Sequence, residues 1–468
     1  MCGICGVFNY GSKESVDKDL LHKMCNVMIH RGPDEEGYYV KGDIGLGIRR
    51  LAIIDLKTGH QPIHNEDKSI WVIDNGEIYN FQELRENLEK KGHRFYTKTD
   101  TEAIVHLYED YGIDCVKYLR GMFAFALWDE TKKKLFLVRD RLGKKPLNYM
   151  IKNRGLVFGS EIKCILENPE IKKEVNLEAL HYYLTYQYIP SPLTMFEGIE
   201  KLPPASILSC DEKGNINIRR YWNLNYRNKL NLEEEEYIEQ IRSKLKEATK
   251  LRMISDVPVG AFLSGGLDSS VIVGLMSEIS SEPVKTFSIG FEEQDFSELH
   301  YARIVAKHFG TNHTEFIVKS QMVEILPKLI WHYGEPYADS SALPSYYVAN
   351  ETRKHVTVAL NGDGGDENFA GYLRYRAHKI AYFVANIYKY SGGKIVNRIL
   401  DLFPESSNQR NLLRKAKRFS SALFEPPEYR NIRWHCFFNN EQKMKLYSKN
   451  MRTKFLQHNA YIIWLNCF

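Results

Sequence analysis

Val257-Pro258-Val259-Gly260-Ala261-Phe262-Leu263-Ser264-Gly265-Gly266-Leu267-Asp268-Ser269-Ser270 is the stretch on which the fold turns. An apolar run over 257–263 passes at once into a polar, glycine-rich turn, and an apolar helical run over 270–277 follows. Strand, glycine turn and helix in this order collect backbone N–H groups and hydroxyls at a helix N-terminus, where aligned donors and the helix dipole favour phosphate. The Gly-Lys-Ser/Thr of a Walker A loop is missing, and so is the spacing of a dinucleotide fingerprint. A Gly-Gly junction can be purely structural. Three serines and an aspartate beside it make anion binding the better reading.

Working outward, strand-like runs over 284–290 and 356–360 alternate with helix candidates over 300–309 and 344–354. That alternation predicts an α/β, doubly wound parallel sheet. Directly after the last of these strands comes Asn361-Gly362-Asp363-Gly364-Gly365-Asp366-Glu367. Ligands of open α/β sheets sit at strand ends. Three carboxylates among glycines repel one another unless a cation offsets them, and hard Mg²⁺ bridging to phosphate would do so. A solvated acidic turn is the alternative; the spacing of an EF-hand is absent. Upstream, a helix is expected from Glu234 to about Leu251, with Tyr237, Ile238, Ile241, Leu245 and Ala248 on one face. Beyond about residue 375 the chain reads as helical and rich in Arg and Lys.

The first 200 residues read differently, as strands joined by turns, an α+β pattern. The run over 70–73 is a short buried-type strand expected to stop at Asn75-Gly76, a turn signal. A helix over 82–91 ends at Gly92, and another opens on Thr99-Asp100-Thr101-Glu102, which has a capping-box pattern. Ala103, Ile104, Leu107 and Tyr108 share its apolar face. Runs over 122–128 and 134–138 flank a polar turn and predict a hairpin.

Composition bounds the function. With 468 residues, roughly two to three domains are expected. A hydrophobic fraction of 43% with 26% charged residues is that of a globular protein, and a net charge of +5 argues for neither nucleic acid nor an anionic membrane as partner. Neither a membrane-length apolar stretch nor a signal-peptide pattern is found, and eight scattered cysteines are no disulfide framework. A cytoplasmic location is the expectation.

Cys2 is the remaining candidate. Once Met1 is removed, one residue carries both a thiol and an α-amine whose ordinary pKa, about 7.7–8.0, lets it accept the thiol proton at neutral pH. By position alone, a small hydrophobe near the terminus is the simpler reading. Cys2-Gly3-Ile4-Cys5 matches C-x-x-C, but neither a redox context nor a second zinc pair accompanies it.

Taken together, these motifs resemble those of the glutamine-hydrolysing asparagine synthetases. The amino-terminal matches are Cys2-Gly3-Ile4, His30-Arg31-Gly32-Pro33-Asp34, Arg50-Leu51, Asn75-Gly76-Glu77 and Asp100, which resemble a class II glutamine amidotransferase. The loop over 264–270 is similar to that of ATP pyrophosphatases. The resemblance implies an α+β N-terminal-nucleophile hydrolase sandwich (αββα) over 1–205, a linker or edge hairpin over 206–235, and an α/β synthetase domain over 236–468. It implies Cys2 as nucleophile, Asn75 and Gly76 as oxyanion hole, and Arg50, Asn75, Glu77 and Asp100 as the glutamine site. For ATP and pyrophosphate it implies Leu263, Ser264, Gly265, Gly266, Asp268, Ser269, Ile289, Asn361 and Gly362, with Asp268 and Asp366 holding Mg²⁺ and Asp363 as base on ammonia. The implied substrates are L-glutamine, L-aspartate and ATP, without nucleic acid or membrane, and a homodimer is compatible with the resemblance.

Three departures qualify this reading. Asn361 stands where the family has Ser, and Asn368 and Ala370 interrupt a run that is usually apolar and then Gly. The tail over 459–468 does not match the family's Asp-containing Arg-x-Ser-Met segment, so the synthetase half is expected to lack its C-terminal part. A glutaminase with a disabled synthetase, amidation of another carboxylate, and a non-enzymatic nucleotide-binding subunit are the competing expectations.

Overall fold

A computed structural model describes residues 1–468 except 13, 292–296, 319–321, 391–401, 403–411, 457–459 and 461–468. The mismatched tail over 461–468 therefore lies outside the described residues. The chain divides into two compact units: residues 1–176, 191–335 and 340–361 form the first, and 177–190, 336–339 and 362–468 the second.

The first unit opens with β1 (Gly3–Phe8), α1 (Lys18–Asn26), β2 (Glu35–Lys41), β3 (Ile44–Arg50), β4 (Ile63–His64) and β5 (Ile70–Ile78). Then come α2 (Phe81–Lys90), α3 (Glu102–Tyr111), β6 (Gly121–Asp129), β7 (Lys134–Arg139), β8 (Asn148–Lys152), β9 (Gly155–Gly159) and α4 (Ile162–Ile165). Helix α5 (Leu177–Tyr186) belongs to the second unit. The chain returns to the first with β10 (Ile199–Lys201), β11 (Ser206–Asp211) and β12 (Ile216–Arg220).

These strands make two antiparallel sheets, in the orders β10-β8-β9-β1-β3-β2 and β12-β11-β7-β6-β5-β4. Strand alternation explains the layering. Ile4 and Phe8 of β1 point into a core shared with Ile73, Ala126, Trp128 and Leu137 of the other sheet, while Cys5 and Val7 point the opposite way, onto α1 and α4. The outer face of the second sheet, through Val72, Phe125 and Leu127, is covered by Leu84 and Leu88 of α2 and by Ile104 and Leu107 of α3. The result is the expected αββα sandwich.

Two local expectations fail. Asn75-Gly76 is no turn: β5 runs through it to Ile78, with Asn75 opposite Ala124 and Gly76 opposite Phe123 of β6. Cross-strand pairing over the whole of β6 overrides the turn preference of an isolated Asn-Gly. A Cβ at Gly76 would come within 2.5 Å of Oδ2 of Asp74 and 2.8 Å of the Met122 carbonyl, so close approach, not turn geometry, requires glycine there. The capping box is also absent. Helix α3 starts at Glu102 behind Thr101, whose side chain makes no cap bond. Glu102 instead accepts hydrogen bonds from the backbone N–H groups of Tyr96 and Thr97, both at 2.8 Å. The expected hairpin is present as β6 and β7.

The rest of the first unit comprises α6 (Glu234–Arg252), β13 (Val259–Phe262), α7 (Leu267–Ile279), β14 (Lys285–Phe291), α8 (Leu299–Phe309), β15 (Asn312–Val318), α9 (Met322–Tyr333), α10 (Ala342–Thr352) and β16 (Val358–Leu360). Strands β15-β14-β13-β16 form a wholly parallel sheet. Val273 and Met276 of α7 and Ala302 and Ala306 of α8 pack on it beside Ala261, Leu263 and Leu360. β15 escaped the sequence reading because its alternation, Asn312-His313-Thr314-Glu315-Phe316, is largely polar. Tyr237, Ile238 and Ile241 of α6 are exposed and only Leu245 and Ala248, half-buried towards its C-terminal end, are covered, so the expected stripe is covered over part of its length.

The second unit is helical: α5, α11 (Gly365–Phe369), α12 (Leu373–Tyr390), α13 (Leu412–Ser421), α14 (Pro427–His435), α15 (Asn440–Leu446) and α16 (Lys449–Phe455). Ala381 and Ala385 of α12 pack on Ala422, Leu423 and Trp434. Lys443 is fully buried, with Nζ 2.7 Å from the Thr185 hydroxyl and 3.0 Å from Nε2 of His181. Among the described residues, no helix is long and apolar enough to cross a membrane.

Candidate active site

Cys2 immediately precedes β1, the strand paired on both sides by β3 and β9, so its backbone enters a fixed central position. Two arms hold it. The Arg31 Nε–H donates to the Cys2 carbonyl at 2.9 Å, and its Nη1 lies 3.0 Å from Oε1 of Glu161. Oε1 of Glu161 also meets Nε2 of His30 at 3.0 Å, and Lys163 lies 2.5 Å from its other oxygen. Burial would raise the Glu161 pKa, but His30, Arg31 and Lys163 together pull it down to about 2. On the second arm, Oδ2 of Asp34 accepts from the Ala52 N–H at 2.9 Å, and the neighbouring Leu51 N–H points at the Cys2 sulfur at 3.4 Å. The stretch His30-Arg31-Gly32-Pro33-Asp34 thus clamps the nucleophile. Gly32 permits this because a Cβ would lie 2.2 Å from the Arg49 carbonyl carbon.

Burial pushes the Cys2 thiol pKa up. The thiol is the resting form at neutral pH, so a nucleophilic sulfur needs a base at the moment of attack. With Met1 in place the terminal amine is that of Met1, its pKa lowered to about 5, first by burial, against the pull of Cys2, and then by Lys145 and Arg31. Cys5 is no redox partner for Cys2: its sulfur is buried 3.4 Å from that of Cys25.

Asn75 is the other distinctive residue. It is 0% exposed, yet neither its amide nitrogen nor its carbonyl oxygen has a hydrogen-bond partner among the described residues. A buried amide left unsatisfied costs about 1–3 kcal/mol, and strand β5 holds it rigidly. Such a donor is set for an oxygen that arrives with a ligand.

Buried carboxylates flank it on β5. Asp74 has its pKa raised well above the ordinary range by burial and then by Asp100, and neither of its oxygens is hydrogen-bonded among the described residues. Glu77 is pushed up to about 8, by burial first and Asp100 second, against the pull of Lys145 and Arg50. Asp100 is raised by burial while accepting the Ile78 N–H at 2.7 Å. Carboxyl groups whose ionisation burial disfavours are stabilised as anions by an arriving cation such as an α-ammonium. Arg50 is buried, donating to the Ile54 and Asp55 carbonyls at 2.9 and 2.8 Å and to Glu35 at 3.0 Å. Cys2, Arg50, Glu77 and Asp100 thus belong to one electrostatically connected cluster.

Lys145 was missed by sequence reasoning. It is buried, its pKa is lowered by burial, and Glu77 and Cys2 oppose that shift. Asp140 positions it by accepting the N–H groups of Leu142, Lys144 and Lys145 at 3.0–3.1 Å. The available signal was the dense charged run Arg139-Asp140-Arg141-Leu142-Gly143-Lys144-Lys145 straight after an apolar strand.

On the parallel sheet, Ser264-Gly265-Gly266 joins β13 to α7 as expected. The Ser264 and Ser269 hydroxyls are 3.0 Å apart, the Gly266 N–H donates to Oγ of Ser264 at 3.2 Å, and Asp268 sits in the first turn of α7. Gly265 has φ +81°, and a Cβ there would lie 2.5 Å from the Ala302 nitrogen. Leu263, Ser264 and Ile289 line one cavity of about 250 Å³, together with Glu298 and Pro344. Asn361 ends the first unit. Gly362, Asp363 and Asp366 belong to the second, where Gly364, with φ +91°, caps α11 and the Asn368 side chain donates to the Gly364 carbonyl at 2.6 Å.

Comparison with known proteins gives two family matches: a glutamine amidotransferase domain over 1–222 and an asparagine synthase domain over 240–459. Asparagine synthetase [glutamine-hydrolyzing] 1 of Bacillus subtilis is 42% identical over 80% of this chain and 60% of its own length. A Methanocaldococcus jannaschii protein, also named as a glutamine-hydrolysing asparagine synthetase, is 40% identical over 92% of this chain and 86% of its own length. Among solved structures, glutamine phosphoribosylpyrophosphate amidotransferase from B. subtilis overlaps 69% of this chain and 70% of its own at 16% identity and a TM-score of 0.35. The chain thus spans between three-fifths and nine-tenths of the two relatives it resembles in sequence.

Proposed function

Because the chain belongs to the family of glutamine-hydrolysing asparagine synthetases, we propose that it releases ammonia from L-glutamine at Cys2 and uses it to amidate L-aspartate at the expense of ATP. The observation that carries the reading is the buried, unpartnered amide of Asn75 on the strand that also bears Glu77.

In the glutaminase step, excision of Met1 frees the Cys2 α-amine. That amine takes the thiol proton as sulfur bonds to the glutamine side-chain carbonyl carbon. The negative charge developing on oxygen is met by the Asn75 side chain and the Gly76 N–H. Collapse breaks the C–N bond, the proton passes to the leaving nitrogen, and ammonia departs. Water then hydrolyses the thioester to glutamate. Arg50 takes the substrate carboxylate, Glu77 and Asp100 take its ammonium, and Lys145 balances their charge.

In the synthetase step, the aspartate side-chain carboxylate attacks the α-phosphorus of ATP and pyrophosphate leaves. Ammonia then displaces AMP and gives up a proton to a general base. The hydroxyls and N–H groups of Ser264, Gly265, Gly266 and Ser269 bind the departing phosphates, and Leu263, Ile289 and Asn361 frame the nucleotide. Asp268 stands among serine hydroxyls, an all-oxygen donor set that suits Mg²⁺. Asp268 would hold that ion, which would offset phosphate charge.

Pyrophosphate release from ATP, with ammonium supplied and L-aspartate present or withheld, tests the synthetase half apart from Cys2. Aspartate-dependent release supports the full reaction. Glutamate release without pyrophosphate release would reduce the function to a glutaminase, and release that needs another carboxylate would reassign the acceptor.

A further inference from the structure

Four side chains with no part in this chemistry converge beside α3. Glu66 lies in the connection between β4 and β5, His93 follows α2, and His106 and Glu109 stand three residues apart on one face of α3. Nδ1 of His106 is 2.9 Å from Oε2 of Glu109 and 3.7 Å from Oε2 of Glu66. Nδ1 of His93 is 3.3 Å from the same Glu109 oxygen. One donor atom each from Glu66, His93 and His106 lies within 4.8 Å of the others. Around a tetrahedral Zn²⁺ with bonds of about 2.0–2.1 Å, neighbouring donors stand about 3.3 Å apart. The measured separations straddle that value.

Each of the four is also oriented from behind. Nε2 of His93 lies 3.1 Å from Oδ1 of Asp110, and Nε2 of His106 lies 3.5 Å from Oε1 of the buried Glu102. Glu102 is itself fixed by the backbone of Tyr96 and Thr97. Oε1 of Glu66 accepts the Arg94 N–H at 3.0 Å, and Oε1 of Glu109 accepts from the Asn65 amide at 2.9 Å. Both imidazoles therefore turn Nε2 to a carboxylate and Nδ1 inward, and both glutamates keep Oε2 for the centre. For His93, whose Nε2 is hydrogen-bonded to Asp110, this is the outer-shell arrangement of a zinc-binding histidine; the Nε2 of His106 faces Glu102 without a hydrogen bond among the described residues. Two carboxylates balance a divalent charge, and a mixed imidazole–carboxylate set favours Zn²⁺ over Mg²⁺ or Ca²⁺.

We propose that Glu66, His93, His106 and Glu109 form a Zn²⁺ site that ties the β4–β5 connection and the segment after α2 to helix α3. Binding there requires the ligand nitrogens free of protons, so zinc affinity should rise with pH.

The test uses full-length protein carrying Cys2→Ala, which removes the nucleophilic thiol as a competing ligand. Chelator-stripped protein is titrated with Zn²⁺ alone and, separately, with Co²⁺. The expected results are one saturable zinc per chain, a raised melting temperature and the visible bands of tetrahedral cobalt. His93→Ala and, on the exposed rim, Glu66→Gln should each weaken zinc binding at least about tenfold, as loss of a group at a metal site does. The rim variant keeps the test open if the histidine variant misfolds. Absence of saturable binding, or zinc binding unchanged in Glu66→Gln, overturns the proposal.

Discussion

Replacing Asn75 by alanine should separate catalysis from stability in opposite directions. The residue is 0% exposed and both polar atoms of its amide lack partners among the described residues, so the folded protein carries their desolvation without a compensating bond. Removing them recovers about 1–3 kcal/mol. The lost volume, on the order of 25–30 Å³, costs about 0.7 kcal/mol at roughly 24 cal/mol per Å³. The variant is therefore expected to be as stable as the parent or up to about 2 kcal/mol more stable, the difference of those two terms. Catalysis should fall, because one oxyanion donor is worth about 10²–10³ in kcat. KM for glutamine should stay within a few-fold, since the bond strengthens only as charge develops on the oxygen. The assay is glutamate release by protein whose loss of Met1 has been verified by mass spectrometry, alongside thermal and urea melts. Asn75→Asp serves as a second variant: it adds a carboxylate beside Asp74, Glu77 and Asp100 and should lose both activity and stability. A clear loss of stability in Asn75→Ala with kcat within tenfold of the parent would refute the reasoning, because Asn75 would then be a structural polar residue.

Other outcomes follow from the same geometry. Glu77, held near about 8 by burial, keeps its proton in the fold while the unfolded chain loses it near the ordinary value of 4.5, so stability should decline as pH rises between these values; Glu77→Gln should flatten that slope in urea melts. Glu161, depressed to about 2, gives the reverse sign, its stabilisation being present above the ordinary value of 4.5 and lost as pH falls towards 2. Glu161→Gln should remove that acid-side loss and, by loosening Arg31 from the Cys2 carbonyl, lower glutaminase kcat. Gly265→Ala meets both a positive φ of +81° and the Ala302 nitrogen at 2.5 Å, so it should abolish ammonium-dependent pyrophosphate release while leaving glutamate release intact. Equal loss of both activities would contradict a role confined to the phosphate loop.

The strand-turn-helix at 257–270, the parallel sheet it belongs to, and the hairpin of β6 and β7 were legible because each rests on neighbours in the chain: apolar runs of strand length, glycine at a positive-φ turn, and helix formers directly behind it. Cys2, Arg50, Asn75 and Asp100 were legible as motif residues, but their electrostatic state was not. Elements with polar faces, such as β15, escaped the periodicity, and the apolar stripe of α6 is left exposed at Tyr237, Ile238 and Ile241.

The sequence by itself determined the segments with a clear apolar periodicity, β6, β7, β13, β14, α7 and α8 among them, because local propensity and periodicity are properties of adjacent residues. Only the tertiary structure decided that Asn75-Gly76 lies inside a strand, that Glu77 titrates near about 8, that Lys145 joins the cluster, and that Glu66, His93, His106 and Glu109 meet. Each of those facts depends on a partner brought from elsewhere in the chain: β6 across from Asn75, Asp100 acting on Glu77, and Asp140 holding the backbone of Lys145. Burial and charge pairing act through space, and spacing along the chain does not encode them.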